Sequence, residues 1–536
     1  MIKTKLISSL DKVFPEDSLS DYSELREISM LKGERISFQL AYTYETDEEG
    51  RSFAPYVLRV TGDLAYYATV REVKCVGVSK PCGVYHDDNY LRSTPGAYPD
   101  LLYPLPESGR FSTSINLLSA LWIDIRIPED YAGECGKRSI ILEAIRGNTV
   151  VGKELSVEII NAALPKQKLR VTQWLSHGSL SEYYSVKPWS AEHLRIERAF
   201  LERGAENGMN MIMLPTFSGL FRIEKHGESF SFNFRGLGKY IDMCLEIGYE
   251  YFEVPHLFTA GSAAYAERIP YYENGELKNT HGMKADDPEY VALIRAFIKA
   301  LRKYMKRRGL DSKCYFHIAD EPALKNMELF RAAKASVEDL LEGANVIDAI
   351  FDLEYYKEGL VTTPVPITDH IEPFLEYGVE NLWTYYCTGP QRKFSNRFIA
   401  QSGACTRSIG MQLYKFKLQG FLHWALCYYY SGDTGGLVNP YVEHSGKSWV
   451  PAGDTFLIYP GPGGEPHDSL RHIIFGDAMQ DIRAMELCET LYSHDEVVRA
   501  IEEELGQELR FSVCAKSTEV MGAIRERINQ MIKARL

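Results

Sequence analysis

Several features that mark membrane and exported proteins are missing from this sequence. No apolar run reaches the roughly 20 residues of a membrane helix, and the longest, 420–430, is typical of a buried strand. Residues 1–21 carry charged side chains throughout, so no uninterrupted apolar stretch of signal-peptide length follows the basic start. We therefore expect a cytoplasmic protein that has no membrane partner.

Metal and cofactor motifs are also missing. The 10 cysteines form neither a CxxC motif nor a Cys/His ligand spacing, so we expect free buried thiols, no zinc site and no disulfide framework. Neither GxSxG nor HExxH occurs, and the glycine-rich segment 461–466 lacks the Lys-Ser/Thr of a phosphate loop. No cofactor is expected.

The charge balance excludes a further class of partner. Lys and Arg number 60 against 73 Asp and Glu, a net charge of -13, which repels the phosphate backbone of nucleic acids. Aromatic residues make up 12% of the chain, with 34 Tyr, 24 Phe and 6 Trp. Such rings stack on sugars, but they also fill large cores, so their positions must decide between the two.

The chain has 536 residues, enough for about three domains, and its pattern changes near residue 165. Before that point, short runs alternate between apolar and polar residues, which predicts an antiparallel β-sandwich over residues 1–165. The clearest predicted strands there are 35–43, 56–60, 121–127, 138–144 and 154–160.

From residue 166 to 467, apolar strands alternate with amphipathic helices. Eight such units predict a (β/α)8 TIM barrel, whose active site lies at the carboxyl ends of its strands. Helices at 468–491, 495–505 and 518–534 then predict a C-terminal helical segment, 468–536, that packs on the barrel. The predicted barrel strands are 171–177, 210–217, 251–258, 314–320, 346–352, one near Ile367, 382–387 and 420–430.

The fourth of these strands ends in two adjacent carboxylates, Asp320 and Glu321, before Pro322 stops the strand. Neighbouring carboxylates oppose each other's ionisation, so such a pair retains one proton and offers an acid beside a base. This arrangement suits the cleavage of glycosides. The alternative is structural: Asp320 caps a helix that begins near Ala323, and Glu321 is exposed.

Aromatic and histidine side chains occur at or near the ends of other strands and beside the paired acids. Brought together at one face of the barrel, they can form a box around a sugar ring, although each alone is also typical of a protein core. The candidate substrate-binding residues are His177, His256, His317, Trp383, Tyr385, Tyr386, His423 and Trp424.

Four segments give the chain a family resemblance: HIADEP at 317–322, LWTYYCTGP at 382–390, GFLHWALCYYYS at 420–431, and the long segment 457–487. They resemble the catalytic domain of glycoside hydrolase family 123, the β-N-acetylgalactosaminidases, a group that includes many domains of unknown function. The resemblance extends from about residue 173 to 487, and a β-sandwich in front of the barrel fits it.

The resemblance implies a retaining, substrate-assisted mechanism in which the 2-acetamido oxygen of the sugar attacks the anomeric carbon and forms an oxazolinium ion. Asp320 then orients the acetamido N–H and stabilises its positive charge, while Glu321 protonates the leaving oxygen and later activates water. Tyr385 or Tyr386 is expected to hydrogen-bond the acetamido group. Trp383 and Trp424 are expected to wall the sugar.

The substrate expected on this basis is a terminal β-linked N-acetylgalactosamine, or a related N-acetylhexosamine, on a short oligosaccharide or glycoside. Cys427 departs from the family pattern, where a polar residue such as Asn is usual. Two alternatives stay open: a conventional retaining glycosidase for a sugar without an acetamido group, with Glu321 as acid and Asp352 or Glu253 as nucleophile, and a non-catalytic carbohydrate-binding protein on a degenerate barrel.

Overall fold

The computed structural model describes residues 2–45 and 53–536. The strands that it describes before residue 164 are β1 (Ile2–Ser8), β2 (Glu27–Lys32), β3 (Arg35–Tyr44), β4 (Phe53–Thr61), β5 (Ala68–Val78), β6 (Gly96–Pro104), β7 (Arg110–Ser114), β8 (Ser119–Arg126), β9 (Gly136–Arg146) and β10 (Thr149–Ala163). They form two five-stranded sheets, ordered β1-β3-β8-β5-β6 and β2-β10-β9-β4-β7.

One hydrophobic core joins these two sheets. Phe38 and Leu40, two residues apart on β3, are buried in the same cluster as Leu142 of β9 and Val157 of β10. Because alternate residues of a strand point to the same face, this shared cluster is what the alternating sequence pattern predicts for a β-sandwich. The pairing of β2 with β10 departs from the predicted antiparallel arrangement, because these two strands are parallel. They are distant in sequence, so no hairpin forces them to run antiparallel.

The second region is a nearly closed barrel, the strand arrangement of a TIM barrel. Eight parallel strands run in the order β20-β19-β18-β15-β12-β11-β22-β21, and a parallel bridge between Ile367 and Tyr385 lies at the seam. Two inserted hairpins form a separate sheet, β14-β13-β16-β17. The strands of this region are β11 (Arg170–Gln173), β12 (Met211–Met213), β13 (Arg222–His226), β14 (Ser229–Asn233), β15 (Tyr251–Glu253), β16 (Pro270–Glu273), β17 (Glu276–Asn279), β18 (Cys314–Phe316), β19 (Asn345–Ile350), β20 (Thr363–Pro366), β21 (Trp383–Tyr385) and β22 (Gly420–His423).

The eight predicted barrel strands are confirmed in place, but they are shorter than the apolar runs that predict them. The run at 420–430 is a strand only as far as His423, where the chain turns and the Ala425 N–H donates to His423 Nδ1 at 3.1 Å. The helices of this region are α1 (His177–Tyr183), α2 (Ala191–Glu206), α3 (Arg235–Ile247), α4 (Pro288–Arg307), α5 (Met327–Ala335), α6 (Glu338–Leu341), α7 (Glu354–Lys357) and α8 (Glu372–Tyr377).

The remaining elements are α9 (Gly403–Arg407), α10 (Ile409–Lys415), β23 (Ile458–Pro460), β24 (Pro466–Asp468), α11 (Leu470–Leu491), α12 (His494–Leu505) and α13 (Thr518–Lys533). The three predicted C-terminal helices are thus present. The buried face of α13 lies against β2 and β10, where Asn529 Nδ2 donates to Ser29 Oγ at 2.7 Å and Lys533 pairs with Glu158 at 2.7 Å. Among the described residues, no helix is long and apolar enough to cross a membrane.

By its contacts the chain divides into two compact units. Residues 168–390 and 418–428 make up the barrel unit, and residues 1–167, 391–417 and 429–536 make up the other. The change near residue 165 in the sequence pattern therefore lies next to a division between units. The predicted boundaries of a barrel domain at 166–467 and a C-terminal segment at 468–536 stay a prediction.

Gly420, the first residue of β22, makes room for the ring of Trp383 on the neighbouring strand. A Cβ atom at residue 420 would lie 2.1 Å from the indole, and Trp383 is 1% exposed, so the ring has no space into which to move. We predict that Gly420→Ala lowers the free energy of unfolding by about 1–3 kcal/mol, the usual cost of overpacking a core. Urea unfolding followed by fluorescence measures this change.

Gly77→Ala is the matched control, because Gly77 also lies within a strand but a Cβ there has nothing within 4 Å. Its unfolding midpoint should equal or slightly exceed that of the wild type. Equal midpoints for the two variants would contradict the packing argument.

Candidate active site

The interior of the barrel is built in layers, because every second residue of a strand points inward. The layer nearest the amino ends of the strands contains Tyr251, Tyr315 and Trp383, with Tyr315 and Trp383 in ring contact at 5.7 Å. Two residues further along the same strands or their extensions come Glu253, His317 and Tyr385. Barrel interiors are usually filled by Val, Ile and Leu, so a polar layer at this level marks the carboxyl end as the functional end.

Asp320 and Glu321 follow β18 at that end, and backbone hydrogen bonds hold them from two sides. The Asp320 carbonyl accepts a bond from Gly261 N at 2.7 Å, and Glu321 N donates to the Ala349 carbonyl at 3.1 Å. Just before them, Ile318 N donates to Asp348 Oδ1 at 2.7 Å in place of a strand partner. The paired acids are therefore fixed by the loop after β15 on one side and by β19 on the other.

Glu321 lies in the left-handed region of backbone space, with φ of 44°. A residue with a Cβ is strained there, and such strain persists where the surrounding structure imposes it, often at functional sites. The Tyr385 hydroxyl donates a hydrogen bond to Glu321 Oε1. Burial and the adjacent Glu321 charge raise the pKa of Tyr385 well above its ordinary value, so Tyr385 stays a donor.

The surroundings of Asp320 raise its pKa. Burial raises the pKa of Asp320 to about 7, and the neighbouring Glu321 carboxylate adds to the effect. The paired acids therefore hold a proton near neutral pH. The alternative in which Asp320 caps the next helix is not seen, because the short turn at Leu324–Asn326 receives no side-chain cap.

Two predicted histidines lie beside the acids. His256 Nε2 is 3.7 Å from Asp320 Oδ1, and its ring centroid is 4.6 Å from that of His317. Burial, and next to it the His317 ring, hold the pKa of His256 well below its ordinary value, so it is neutral. The structure thus brings Asp320, Glu321, Tyr385, His256 and His317 together.

Other predicted residues lie elsewhere in the barrel unit. His177 begins α1 and its Nδ1 lies 2.8 Å from Glu197 on α2, while Trp383 is enclosed at the opposite end of the barrel interior. Tyr386 packs on Phe421 at 4.9 Å and on His423 at 5.6 Å, and Trp424 packs on Tyr428 at 5.1 Å. For His177, Trp383, Tyr386, His423 and Trp424, a role in binding stays a prediction.

The structure also shows where the alternative nucleophiles and Cys427 lie. Glu253 is fully buried and already accepts bonds from Thr172 Oγ1 at 2.6 Å and Trp174 Nε1 at 2.9 Å, while Asp352 precedes α7 and is partly buried. Cys427 is fully buried, its carbonyl accepts a bond from Ser179 Oγ at 2.7 Å, and burial raises the pKa of its thiol. Cys427 is therefore a packing residue of the barrel unit.

Three residues near the acids escaped the sequence analysis: Asp348, Trp174 and Glu267. Asp348 holds the backbone before the acids, Trp174 contacts His256 at 5.4 Å, and the Glu267 charge helps to raise the pKa of Asp320. Trp174 lies within the predicted strand 171–177, two residues after the inward-facing Thr172, so the alternation of faces along that strand is a usable signal for it. Within residues 2–45 and 53–536, no group of three or more His, Cys, Asp or Glu side chains forms a metal site.

Comparison with known proteins gives one family match. A family model described as glycoside hydrolase 123, catalytic domain, matches residues 174–488, more than half of the chain. No match was found among curated proteins.

Solved structures give a matching fold. The chain is similar to a family 123 glycoside hydrolase from Clostridium perfringens, studied for glycolipid glycan hydrolysis, with 14% identity and a TM-score of 0.76 over 100% of this chain and 98% of that one. A Parabacteroides merdae beta-glucuronidase matches with 10% identity and a TM-score of only 0.34 over 89% of this chain and 51% of that one. The first likeness shows a shared fold.

The raised pKa of Asp320 has a consequence for stability. The pKa of Asp320 in the folded protein, about 7, exceeds the ordinary pKa of 3.8, so the folded state loses stability as pH rises through this window. We predict that Asp320→Asn, which removes the charge, stabilises the protein by about 1–3 kcal/mol at pH 8, and by much less at pH 4.5. Urea unfolding at both pH values measures the difference between variant and wild type.

Asp286→Asn is the control, because Asp286 is exposed on the loop before α4. It should change stability little, and equally, at the two pH values. A pH-independent effect of Asp320→Asn would show that Asp320 is not held in an unfavourable charged state.

Proposed function

Because the chain belongs to glycoside hydrolase family 123, we propose that it is a retaining enzyme that removes a terminal β-linked N-acetylgalactosamine, or a related N-acetylhexosamine. The observation that carries the proposal is the pair Asp320-Glu321, held at the carboxyl end of β18 with its two carboxylates in different surroundings. In the proposed mechanism, the acetamido group of the substrate acts as the nucleophile.

The first step begins with a redistribution of the proton on the paired acids. An acetamido N–H that donates to Asp320 stabilises its ionised form, since a hydrogen bond to a carboxylate lowers its proton affinity. The proton then resides on Glu321, next to the leaving oxygen. Binding of an acetamido sugar thereby makes Glu321 the proton donor. A sugar without an acetamido group does not cause this proton transfer.

Bond cleavage follows from this arrangement. The acetamido oxygen attacks the anomeric carbon, Glu321 delivers its proton to the leaving oxygen, and Asp320 balances the positive charge of the oxazolinium ring. Glu321, now ionised, takes a proton from the water that opens this ring and restores the β-anomer. The Tyr385 hydroxyl, which donates to Glu321, stabilises its ionised form between the two steps.

The surroundings of Glu253 weigh against the conventional retaining alternative. A nucleophilic carboxylate needs a free oxygen that faces the sugar, whereas Glu253 is fully buried and engaged by Thr172, Trp174 and His317. The Clostridium perfringens enzyme is described for glycolipid glycan hydrolysis, which agrees with a sugar substrate.

We predict that Glu321→Gln and Asp320→Asn each lower kcat/KM on 4-nitrophenyl β-N-acetylgalactosaminide by about 10³-fold or more, because each removes a group that acts in the transition state. They should differ on the 2,4-dinitrophenyl glycoside. This leaving group needs no acid, so Glu321→Gln releases dinitrophenolate quickly in the first turnover, and azide restores its turnover by replacing the activated water. Asp320→Asn shows neither effect.

Glu328→Gln, an exposed carboxylate on α5, is the matched control and should retain full activity. An N-acetylgalactosamine-derived thiazoline should inhibit competitively, and 4-nitrophenyl β-galactoside should not be hydrolysed. Turnover of the galactoside without thiazoline inhibition would favour the conventional mechanism. A folded wild type that hydrolyses neither aryl β-N-acetylgalactosaminide nor β-N-acetylglucosaminide would refute the proposal.

A further inference from the structure

A buried row of ionisable groups runs from the barrel interior to the paired acids. It begins with Glu253, which is 0% exposed and accepts hydrogen bonds from Thr172 Oγ1 at 2.6 Å and Trp174 Nε1 at 2.9 Å. The third partner of this carboxylate is His317 Nε2 at 2.9 Å. These three contacts fix the carboxyl group of Glu253 inside the barrel.

His317 is therefore fixed against a negative charge. Burial alone would lower its pKa, but the hydrogen bond to Glu253 and the attraction of that carboxylate outweigh it, so the pKa of His317 lies above its ordinary value. Its Nδ1 is buried without a hydrogen-bond partner among the described residues. His317 thus lies just below the acids in surroundings that favour the protonated ring, and its Nδ1 is uncommitted.

His256 separates this cation from Asp320. Its ring lies 4.6 Å from the ring of His317, contacts Trp174 at 5.4 Å, and places Nε2 3.7 Å from Asp320 Oδ1. Because His256 is neutral, it neither competes with the charge of His317 nor screens it as water would. The order along the row is Glu253, His317, His256, Asp320.

We propose that His317 and Glu253 are positioning residues of the glycosidase reaction: the imidazolium of His317, held by Glu253, favours the ionised form of Asp320, which the substrate's acetamido N–H needs as its acceptor. This inference rests on the proposed function, since it assigns the row a part in that reaction. Neither residue touches the sugar, so both act through Asp320.

The charge balance around the row gives the sign of the effect. His317 is faced by Glu253 from β15, by Asp348 from β19, by neutral His256, and by Asp320 of its own segment.

Two carboxyl groups face Asp320, those of Glu321 and of Glu267 in the loop after β15. Two histidines, His256 and His317, also face it, and Tyr385 contacts its neighbour Glu321. Of these groups His317 is the cation, and the other charges that act on Asp320 are negative. Loss of the imidazolium therefore raises the pKa of Asp320 further.

The pH dependence follows from this sign. The form of the pair that binds substrate productively carries one proton, which the substrate moves from Asp320 to Glu321. Activity is therefore lost as pH rises through the pKa at which the free pair gives up this proton, and kcat/KM reports that limb. Removing the positive charge of His317 raises this pKa and moves the alkaline limb to higher pH. A neighbouring charge in a buried site shifts such a limb by about 1 pH unit.

The first experiment compares pH profiles of kcat/KM on 4-nitrophenyl β-N-acetylgalactosaminide for wild type, His317→Gln and Glu253→Gln. We expect both variants to move the alkaline limb upward by about 1 pH unit, while the rate at the pH optimum stays within about tenfold of wild type. A residue with a merely structural role lowers the rate at every pH and leaves the limb in place. Limbs that coincide with that of the wild type would overturn the proposal.

His193→Gln is the matched control. His193 is also buried in the barrel unit, and it also pairs with a carboxylate, Glu197, at 3.2 Å, but both residues belong to the outer helix α2. This variant should leave the alkaline limb unmoved.

The second experiment uses the intact wild-type protein, in case the buried substitutions prevent folding. In ¹⁵N,¹³C-labelled wild-type protein, with His317 assigned through its backbone connectivities, the ring nitrogens of His317 should have the shifts of an imidazolium at pH 7. A neutral His317 at pH 7 would overturn the proposal.

A titration of Asp320 without substrate tests this inference independently of the proposed function. The ¹³C carboxyl signal of Asp320, assigned with Asp320→Asn, should titrate at higher pH in His317→Gln than in wild type, whatever the substrate. If no aryl glycoside is hydrolysed but this shift is seen, the proposed function fails while the electrostatic coupling stands. If turnover occurs but the signal does not shift, only the further inference fails.

Discussion

The repulsion between two adjacent carboxylates is the interaction around which the barrel unit is organised. Asp320 and Glu321 are neighbours in the chain, so neither can move away from the other, and the fold must hold them where burial makes their charges costly. The backbone bonds from Gly261 and to Ala349 and the strained φ of Glu321 are the means of holding them. Stability is given up at this point in exchange for a proton that is available near neutral pH.

The layers beneath the acids explain how such a site is tolerated. Aromatic residues fill the layer at the amino end of the barrel, with Trp383 against Tyr315, and make it a close-packed base. Above it, Glu253 and His317 form a polar layer in which every charge has a partner. A buried ion pair adds little to stability by itself. Its position next to the reacting groups gives it a chemical use.

The aromatic richness of the chain divides between these two purposes. Trp383 and Tyr386 are almost wholly buried and pack against other rings, whereas Tyr385, two residues after Trp383 and one before Tyr386, reaches Glu321 with its hydroxyl. Along a strand, a step of one residue changes the face that a side chain takes, and a step of two keeps the face but changes the layer of the barrel. A cluster of aromatic residues in the sequence therefore says less about a sugar site than the register of the strand that carries it.

The sequence by itself determined the elements and their order. Alternation of period two predicted the sandwich, and apolar runs separated by amphipathic helices predicted the eight barrel strands. An acid pair after one of these runs placed Asp320 and Glu321 at the carboxyl end of the fourth strand. These features are local, so they can be read from neighbouring residues. Even the family was visible in four short segments.

Only the tertiary structure decided which distant residues meet. Glu253 and His317, Gly420 and Trp383, and Asp348 and the backbone of Ile318 lie on different strands. Their contacts depend on the register and closure of the barrel, which no local pattern encodes. For that reason the paired acids were predictable, and the buried groups that set their protonation were not.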